Sequence, residues 1–337
     1  MIFSKKGISR VRYNDLLPFS LKARLKLFSK IKRGAPLDYP RQFWIEITNE
    51  CNLRCIMCPS SKGLKRKIGM MDMDIFSRII DQILVVKPTI ILHVAGEPLL
   101  NKDLFKMIGY AKKSGCCVWL NTNATLLTRE MSLRILESSL DHIIFSFDGF
   151  TREVYEKARV GAEFEQVKSQ IETFLELRDG MRIKSLSVRT QIIIMEDTKK
   201  EIHDFVKYWQ AKKVDVVAIK QVGDWLGLVD FPPHSENLKT FGHRPCRDVF
   251  HKCAILVDGT VVSCCCDIQG RQPLGNILKE PFNEIWNGGP YQLLRRQHLN
   301  NAIPENVICH KCVYRRCWSR SELITQWLLK QFFWHPN

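Results

Sequence analysis

Cysteine is the residue type in this 337-residue sequence whose number and spacing point most directly to chemistry: there are thirteen. Three fall within eight residues, Cys51-Asn-Leu-Arg-Cys55-Ile-Met-Cys58. Thiolates at this spacing in a single loop can hold three irons of a [4Fe–4S] cube, which ordinarily takes four cysteines. No fourth cysteine is near, so one iron keeps an open position and can bind and activate a ligand as a Lewis acid. A zinc knuckle is the alternative, but zinc asks for four closed ligands, and no His or Cys follows within reach in sequence. Cys246, Cys264 and the pair Cys309-x2-Cys312 form a second set, which by itself suits zinc as well as iron and sulfide. The cysteine count is odd and the N-terminus lacks an export signal. Metal binding is therefore the better reading than a disulfide framework.

The elements that must position these thiols alternate between two periods. Short β-rich runs occur at FWIEIT (43–48), IILHVA (90–95), CVWLN (117–121), HIIFSF (142–147), LSVRTQIII (186–194) and DVVAIK (215–220). Between them Ile75-Phe76-Ile79-Ile80-Ile83, Leu104-Met107-Ile108-Ala111 and Phe164-Val167-Ile171-Phe174 recur about every 3.6 residues, the period of an amphipathic helix. Six βα units in series predict an α/β fold with a parallel sheet, open and doubly wound or curled into a partial barrel. Ligands of such folds sit at the C-terminal ends of the strands. Polar residues gather there: Ala95-Gly96-Glu97-Pro98, Asn121-Thr122-Asn123, Ser146-Phe147-Asp148-Gly149, then Arg189, Gln191 and Lys220-Gln221. Beyond a Gly- and Pro-rich linker (222–245) the pattern changes. CAILVDGTVVSC (253–264) reads as a hairpin turning at Asp258-Gly259. Short helices near 282–286 and 291–298, a Cys-rich knuckle and a helix at about 320–333 follow.

CNLRCIMCP resembles the cysteine motif of the radical S-adenosylmethionine (radical SAM) superfamily, with Met57 where members mostly carry an aromatic residue. The resemblance implies a partial (β/α)6 radical SAM barrel with a [4Fe–4S] cluster on Cys51, Cys55 and Cys58. In that family the open iron chelates SAM, and an electron from the cluster cleaves it to methionine and a 5′-deoxyadenosyl radical. The resemblance also implies that Gly96 and Glu97 form the loop that receives the SAM ammonium, and that Ser146 and Arg159 hold its carboxylate. Asn121, Asn123 and Gln191 join the same cofactor site. Cys246-x12-Gly259-x4-Cys264, then Cys309-x2-Cys312, resembles the small Cys-rich SPASM/twitch domain that follows some radical SAM barrels. This implies an auxiliary [4Fe–4S] cluster on Cys246, Cys264, Cys309 and Cys312. A full SPASM domain continues after its CxxC as x5-Cys-x3-Cys. Here Cys317 follows by x4 and ends the series, so one auxiliary cluster is expected. Cys253, Cys265, Cys266 and Cys317 are then spare, with Cys265 able to replace Cys264.

The expected organisation is a basic amphipathic arm (1–39), a radical SAM core (40–223), a linker (224–245), a SPASM/twitch domain (246–319) and a C-terminal helix (320–337). No apolar run reaches the length of a membrane span, and the N-terminus has no secretory h-region, so a cytoplasmic location is expected. Residues 1–33 carry ten Lys/Arg against one Asp, so the net charge of +16 marks an arm more than a nucleic-acid-binding domain. Leu21, Leu25, Phe28 and Ile31 predict a helix there, packed on the core or touching an anionic membrane. A fully Cys-ligated auxiliary cluster suits electron acceptance. The expected activity is therefore dehydrogenation of a small polar substrate, with a flavodoxin or ferredoxin as electron donor implied by the family. Arg189, Lys220, His93 and Asp224 are candidates for the base. A radical SAM maturase acting on a peptide or protein is the alternative. It ranks second because only about 40 residues precede the first strand, too few for a peptide-recognition domain. A non-catalytic Fe–S or zinc module on nucleic acid is a remote third; no nucleic-acid partner is expected.

Overall fold

A computed structural model describes residues 2–4, 39–223, 225–229, 246, 248–310 and 312. Six strands follow the predicted order: β2 Gln42–Ile45, β3 Thr89–Leu92, β4 Cys117–Thr122, β5 His142–Ser146, β6 Ser187–Ile194 and β7 Val216–Gln221. Each lies beside and parallel to its sequence neighbour. Helices cross over between them, including Met73–Ile83, Leu104–Lys113, Arg129–Glu137, Phe164–Gly180 and Ile202–Ala211. Helix Met73–Ile83 starts where Asp72 accepts from the Ile75 amide at 2.8 Å, and it buries Phe76, Ile79, Ile80 and Ile83. The helix-facing side of the sheet (Phe43, Ile90, Val118, Ile143, Val188, Val217) merges with these residues into one main core. The alternate residues Trp44, Ile91, Trp119 and Ile144 gather in a separate small cluster on the inner face. The period-2 alternation of each strand thus divides the structural core from the lumen.

β2 and β3 end earlier than the sequence patterning predicts. Beyond Ile45 the backbone changes partners: Met71 donates to the Ile47 carbonyl (2.9 Å), Asn49 to the Gly69 carbonyl (3.3 Å), and Thr48 bridges Met70. The extended chain has left the ladder with β3 to support the cysteine loop.

Both edges of the six-stranded unit are covered. At one, β1 Ile2–Ser4 lies antiparallel to β7, so these three residues are part of the sheet, not of a free arm. At the other, β8 Lys252–Ile255 adds parallel to β2 with Phe43 opposite Cys253. The predicted hairpin follows as β8 and β9 Thr260–Val262, and β10 Pro273–Asn276 extends it. The result is one ten-stranded sheet spanning both cysteine sets. Helices Phe282–Asn287 and Gly289–Leu299 pack Phe282, Trp286 and Tyr291 into the common core. The helix expected around Leu21–Ile31, most of the linker, Asp224, Cys317 and the helix at 320–337 lie outside the described residues. Among the described residues no helix is long and apolar enough to cross a membrane.

Candidate active site

The Cys51–Cys58 loop leaves the end of β2 and is held from two sides. Asn101 donates to the Ile47 carbonyl (2.7 Å) and the Met71 carbonyl (3.0 Å) beneath it. Arg54 and Ile56 donate backbone hydrogen bonds to Val160 (2.9 Å) and Ala158 (3.1 Å) at the end of helix Arg152–Ala158. Cys55 is buried, and burial pushes its thiol up to about 11, with the nearby positive charge of Arg159 opposing the rise. Cys51 and Cys55 both feel the charge of Cys58, so the three sulfurs face one region. Buried thiols in this state are poor anions, and a bound metal centre is what would draw off their protons.

Arg159 is buried, not a solvated helix residue. Its Nε and Nη2 donate to Asp148 Oδ2 (2.8 and 2.5 Å), and Nη1 lies 3.9 Å from Cys55 Sγ. Asp148 is fully buried and accepts from the Ile193 amide through Oδ1 (2.6 Å). Burial is the largest single influence and works against the guanidinium charge, but Asp148 together with Cys55 and Tyr155 more than offsets it and keeps Arg159 firmly cationic. Sequence reasoning left Asp148 without a role, although its place at the end of the fourth predicted strand was the available signal. Ser146, paired with Arg159 in the sequence reading, accepts from Gln191 Nε2 at 2.8 Å.

Glu97 is buried at the head of the turn Pro98–Leu100. Its Oε1 accepts from Thr122 Oγ1 (2.7 Å) and the Leu99 amide (3.1 Å), and Oε2 from the Asn123 amide (2.7 Å). Burial raises its pKa, and these three donors oppose the rise. A carboxylate has about four acceptor positions, so one remains, on Oε2. Gly96 makes the approach feasible: at φ +77°, a Cβ would stand 2.5 Å from the Thr48 carbonyl and 2.7 Å from that of Glu50. The Asn123 side chain is committed elsewhere, donating to Asn52 Oδ1 (3.0 Å) and accepting from Thr125. It braces the cysteine loop.

On the inner face, Asn121, Ile144 and Arg189 share one rung, and Ser146 and Gln191 the next. Arg189 lies over the Trp119 ring at 5.7 Å. Asn121 Oδ1 and Gln191 Oε1 are buried acceptors with no hydrogen-bond partner among the described residues. Native proteins rarely leave such atoms unmatched, and a bound polar molecule is one resolution. Burial pushes His93 down to about 4 and Lys220 down to about 8.

The second cysteine set differs from its sequence reading. A turn closed by the Asp267 amide donating to the Cys264 carbonyl (3.0 Å) draws Cys264, Cys265 and Cys266 together, their sulfurs all within 4.8 Å. Cys246 feels the charges of Cys309 and Cys312, and Cys266 feels that of Cys312. Of the predicted auxiliary ligands, Cys246 thus lies within electrostatic range of Cys309 and Cys312, while Cys264 sits in a tight group with Cys265 and Cys266, read as spare from the sequence. Cys253 is a core residue opposite Phe43, its thiol raised far above the usual range by burial.

Comparison with known proteins agrees with this geometry. Residues 45–208 match the model of the radical SAM superfamily, and residues 246–313 match that of the SPASM iron–sulfur cluster-binding domain. This is a radical SAM protein with a SPASM domain. A curated relative is the tungsten-containing aldehyde ferredoxin oxidoreductase cofactor-modifying protein of Pyrococcus furiosus. It is 24% identical over 314 residues, covering 80% of this chain and 87% of that protein. The mycofactocin maturase MftC of Mycobacterium tuberculosis is 30% identical over 140 residues, 42% of this chain and 35% of its own length. Among solved structures, Streptococcus suis SuiB bound to precursor peptide SuiA superposes with a TM-score of 0.65 at 15% identity, covering 90% of this chain and 77% of that one. BtrN in complex with AdoMet and 2-DOIA gives 0.52 at 18% identity, covering 77% and 86%. At these identities the structural likeness speaks for the fold alone.

A radical SAM domain implies a [4Fe–4S] cluster and SAM, and a SPASM domain implies auxiliary Fe–S chemistry. The residues present fit both. A three-thiol loop lacking a fourth Cys suits a cluster with an open iron, and the unmatched Asn121 and Gln191 oxygens suit a polar ligand.

Proposed function

We propose that this protein is a radical SAM maturase acting on a peptide or protein-borne substrate. The observation that carries this reading is the match along both domains to a cofactor-modifying protein, and the shorter match to the maturase MftC supports it. These relatives reverse the ranking drawn from the sequence, in which dehydrogenation of a small polar metabolite came first.

When bound, the cluster and SAM together supply a 5′-deoxyadenosyl radical able to take a hydrogen atom from the substrate. Cys51, Cys55 and Cys58 hold that cluster in this reading. Glu97 offers its remaining lone pair to the SAM ammonium. Arg159, fixed by Asp148, places positive charge where it steadies the Cys55 thiolate and an arriving carboxylate alike. Asn121 and Gln191 receive hydroxyl or amide donors of the bound molecules. Lys220, lowered by burial to about 8, is the group of the inner face best suited to accept a substrate proton once it has lost its own. A flavodoxin or ferredoxin would deliver the electron. Cys246, Cys309, Cys312 and the Cys264–Cys266 turn hold the auxiliary centre.

The test is mass spectrometry of short peptides encoded beside the gene, incubated anaerobically with reconstituted enzyme, SAM and reductant. A SAM-dependent mass change in a peptide is the expected result. Turnover confined to an amino-alcohol or sugar, with every peptide unchanged, would overturn the maturase reading.

A further inference from the structure

Glu46 played no part in the sequence reading, yet the structure makes it the meeting point of both cysteine regions. It is fully buried just past the end of β2. Oε1 accepts from Arg66 Nη2 (2.5 Å) and from the Ala95 amide (3.3 Å), and Oε2 accepts from the Val257 amide (3.0 Å). Its own amide donates to the Ile255 carbonyl at 2.9 Å. Arg66 completes the link, donating from Nε to the Ile268 carbonyl at 2.5 Å. Beside it, Gln269 accepts from the Lys65 amide (2.8 Å) and donates to the Gly63 carbonyl (3.2 Å).

The segments joined in this way are the ones that carry the chemistry. Ala95 immediately precedes Gly96-Glu97. Arg66 lies on the strap leaving the Cys51–Cys58 loop. Val257 opens the hairpin turn that leads to Cys264, and Ile268 lies two residues past Cys266. One carboxylate and one guanidinium thus fix the SAM loop and the auxiliary cysteine turn to the same point.

We propose that the Glu46–Arg66 pair is a strut that sets the separation and alignment of the SAM site and the auxiliary centre, making Glu46 a positioning residue for the coupled reaction. A buried ion pair is a poor device for stability alone, since well-packed apolar side chains of similar volume often do as well or better. Directional bonds to four separate segments are what apolar packing cannot supply. The proposal rests on both cysteine groups holding clusters, but not on the identity of the substrate.

The test compares wild type, Glu46→Gln and the apolar pair Glu46→Met/Arg66→Met, all as reconstituted holoenzyme. Iron content is read first, so that absence of an auxiliary cluster in wild type is recognised separately as failure of the cluster reading. Hydrogen exchange at the Ala95 and Val257 amides should quicken by about ten-fold or more in both variants, while helix Phe164–Gly180 keeps its protection. Spin–spin coupling between the two reduced clusters, measured by pulsed EPR, should give a broader distance distribution in both. The apolar pair should keep a melting temperature at or above that of wild type. That combination separates positioning from stability. A double variant with wild-type exchange at Ala95 and Val257 and a sharp inter-cluster distance would overturn the strut.

Discussion

The two cysteine regions are built on opposite plans. Cys51, Cys55 and Cys58 belong to one loop between a strand and a turn, and the barrel brings Arg159 and Asp148 to them. The SPASM cysteines come from segments as far apart as Cys246 and Cys312, with the hairpin and helices Phe282–Asn287 and Gly289–Leu299 between them in sequence. A local loop can take up iron with little of the fold around it and can leave an iron open for a ligand. A dispersed set closes around its metal, so metal binding there is also folding free energy. The first arrangement leaves room for a ligand, and the second ties cluster binding to the packing of its domain.

Substitutions can sharpen or break this contrast. The largest effect is expected from Cys55→Ala, which should remove about four irons and lower SAM cleavage by about 1,000-fold or more. Iron analysis and 5′-deoxyadenosine release measure both, and residual cleavage near wild type would end the assignment of this loop. Cys264→Ser/Cys265→Ser/Cys266→Ser should remove the auxiliary irons and product formation while SAM cleavage stays within about three-fold. It should also lower the melting temperature, which Cys55→Ala should barely move; equal destabilisation would erase the distinction between local and dispersed sites. Gly96→Ala should cost about 2–4 kcal/mol, because a left-handed residue meets two backbone carbonyls. It should weaken SAM binding in equilibrium dialysis and leave the iron content unchanged. The smallest effect concerns pH. Lys220, lowered by burial to about 8, gains its neutral form as pH rises through that value. Product formation should therefore climb to a plateau above about pH 8 and lose this limb in Lys220→Met.

Much of the local plan was legible in the sequence. Strands β4 to β7 fall within a residue of their predicted limits, because their apolar runs end where their ladders end. The Cys51–Cys58 loop and Gly96-Glu97 were found because their chemistry is written in adjacent residues. What stayed hidden depends on partners far apart in sequence. Glu46 looked like one polar position of an alternating strand, but two of its donors lie 49 and 211 residues away. Asp148 has a partner eleven residues on, in register with nothing that a strand or helix pattern reveals. Cys265 and Cys266 seemed redundant because spacing shows how many residues separate two thiols, not how a turn folds them together.

The pairing of β8 with β2 has a consequence for how the chain is made. Phe43 meets Cys253 across 210 residues of chain, so the β2 edge stays bare until Lys252–Ile255 has left the ribosome. A bare parallel edge is a template for pairing with another chain, and slow non-local strand closure prolongs that exposure. Biosynthesis therefore has a vulnerable interval that ends only when β8 docks. A nonsense or frameshift product stopping before residue 252 is expected to accumulate in inclusion bodies rather than as a smaller soluble barrel.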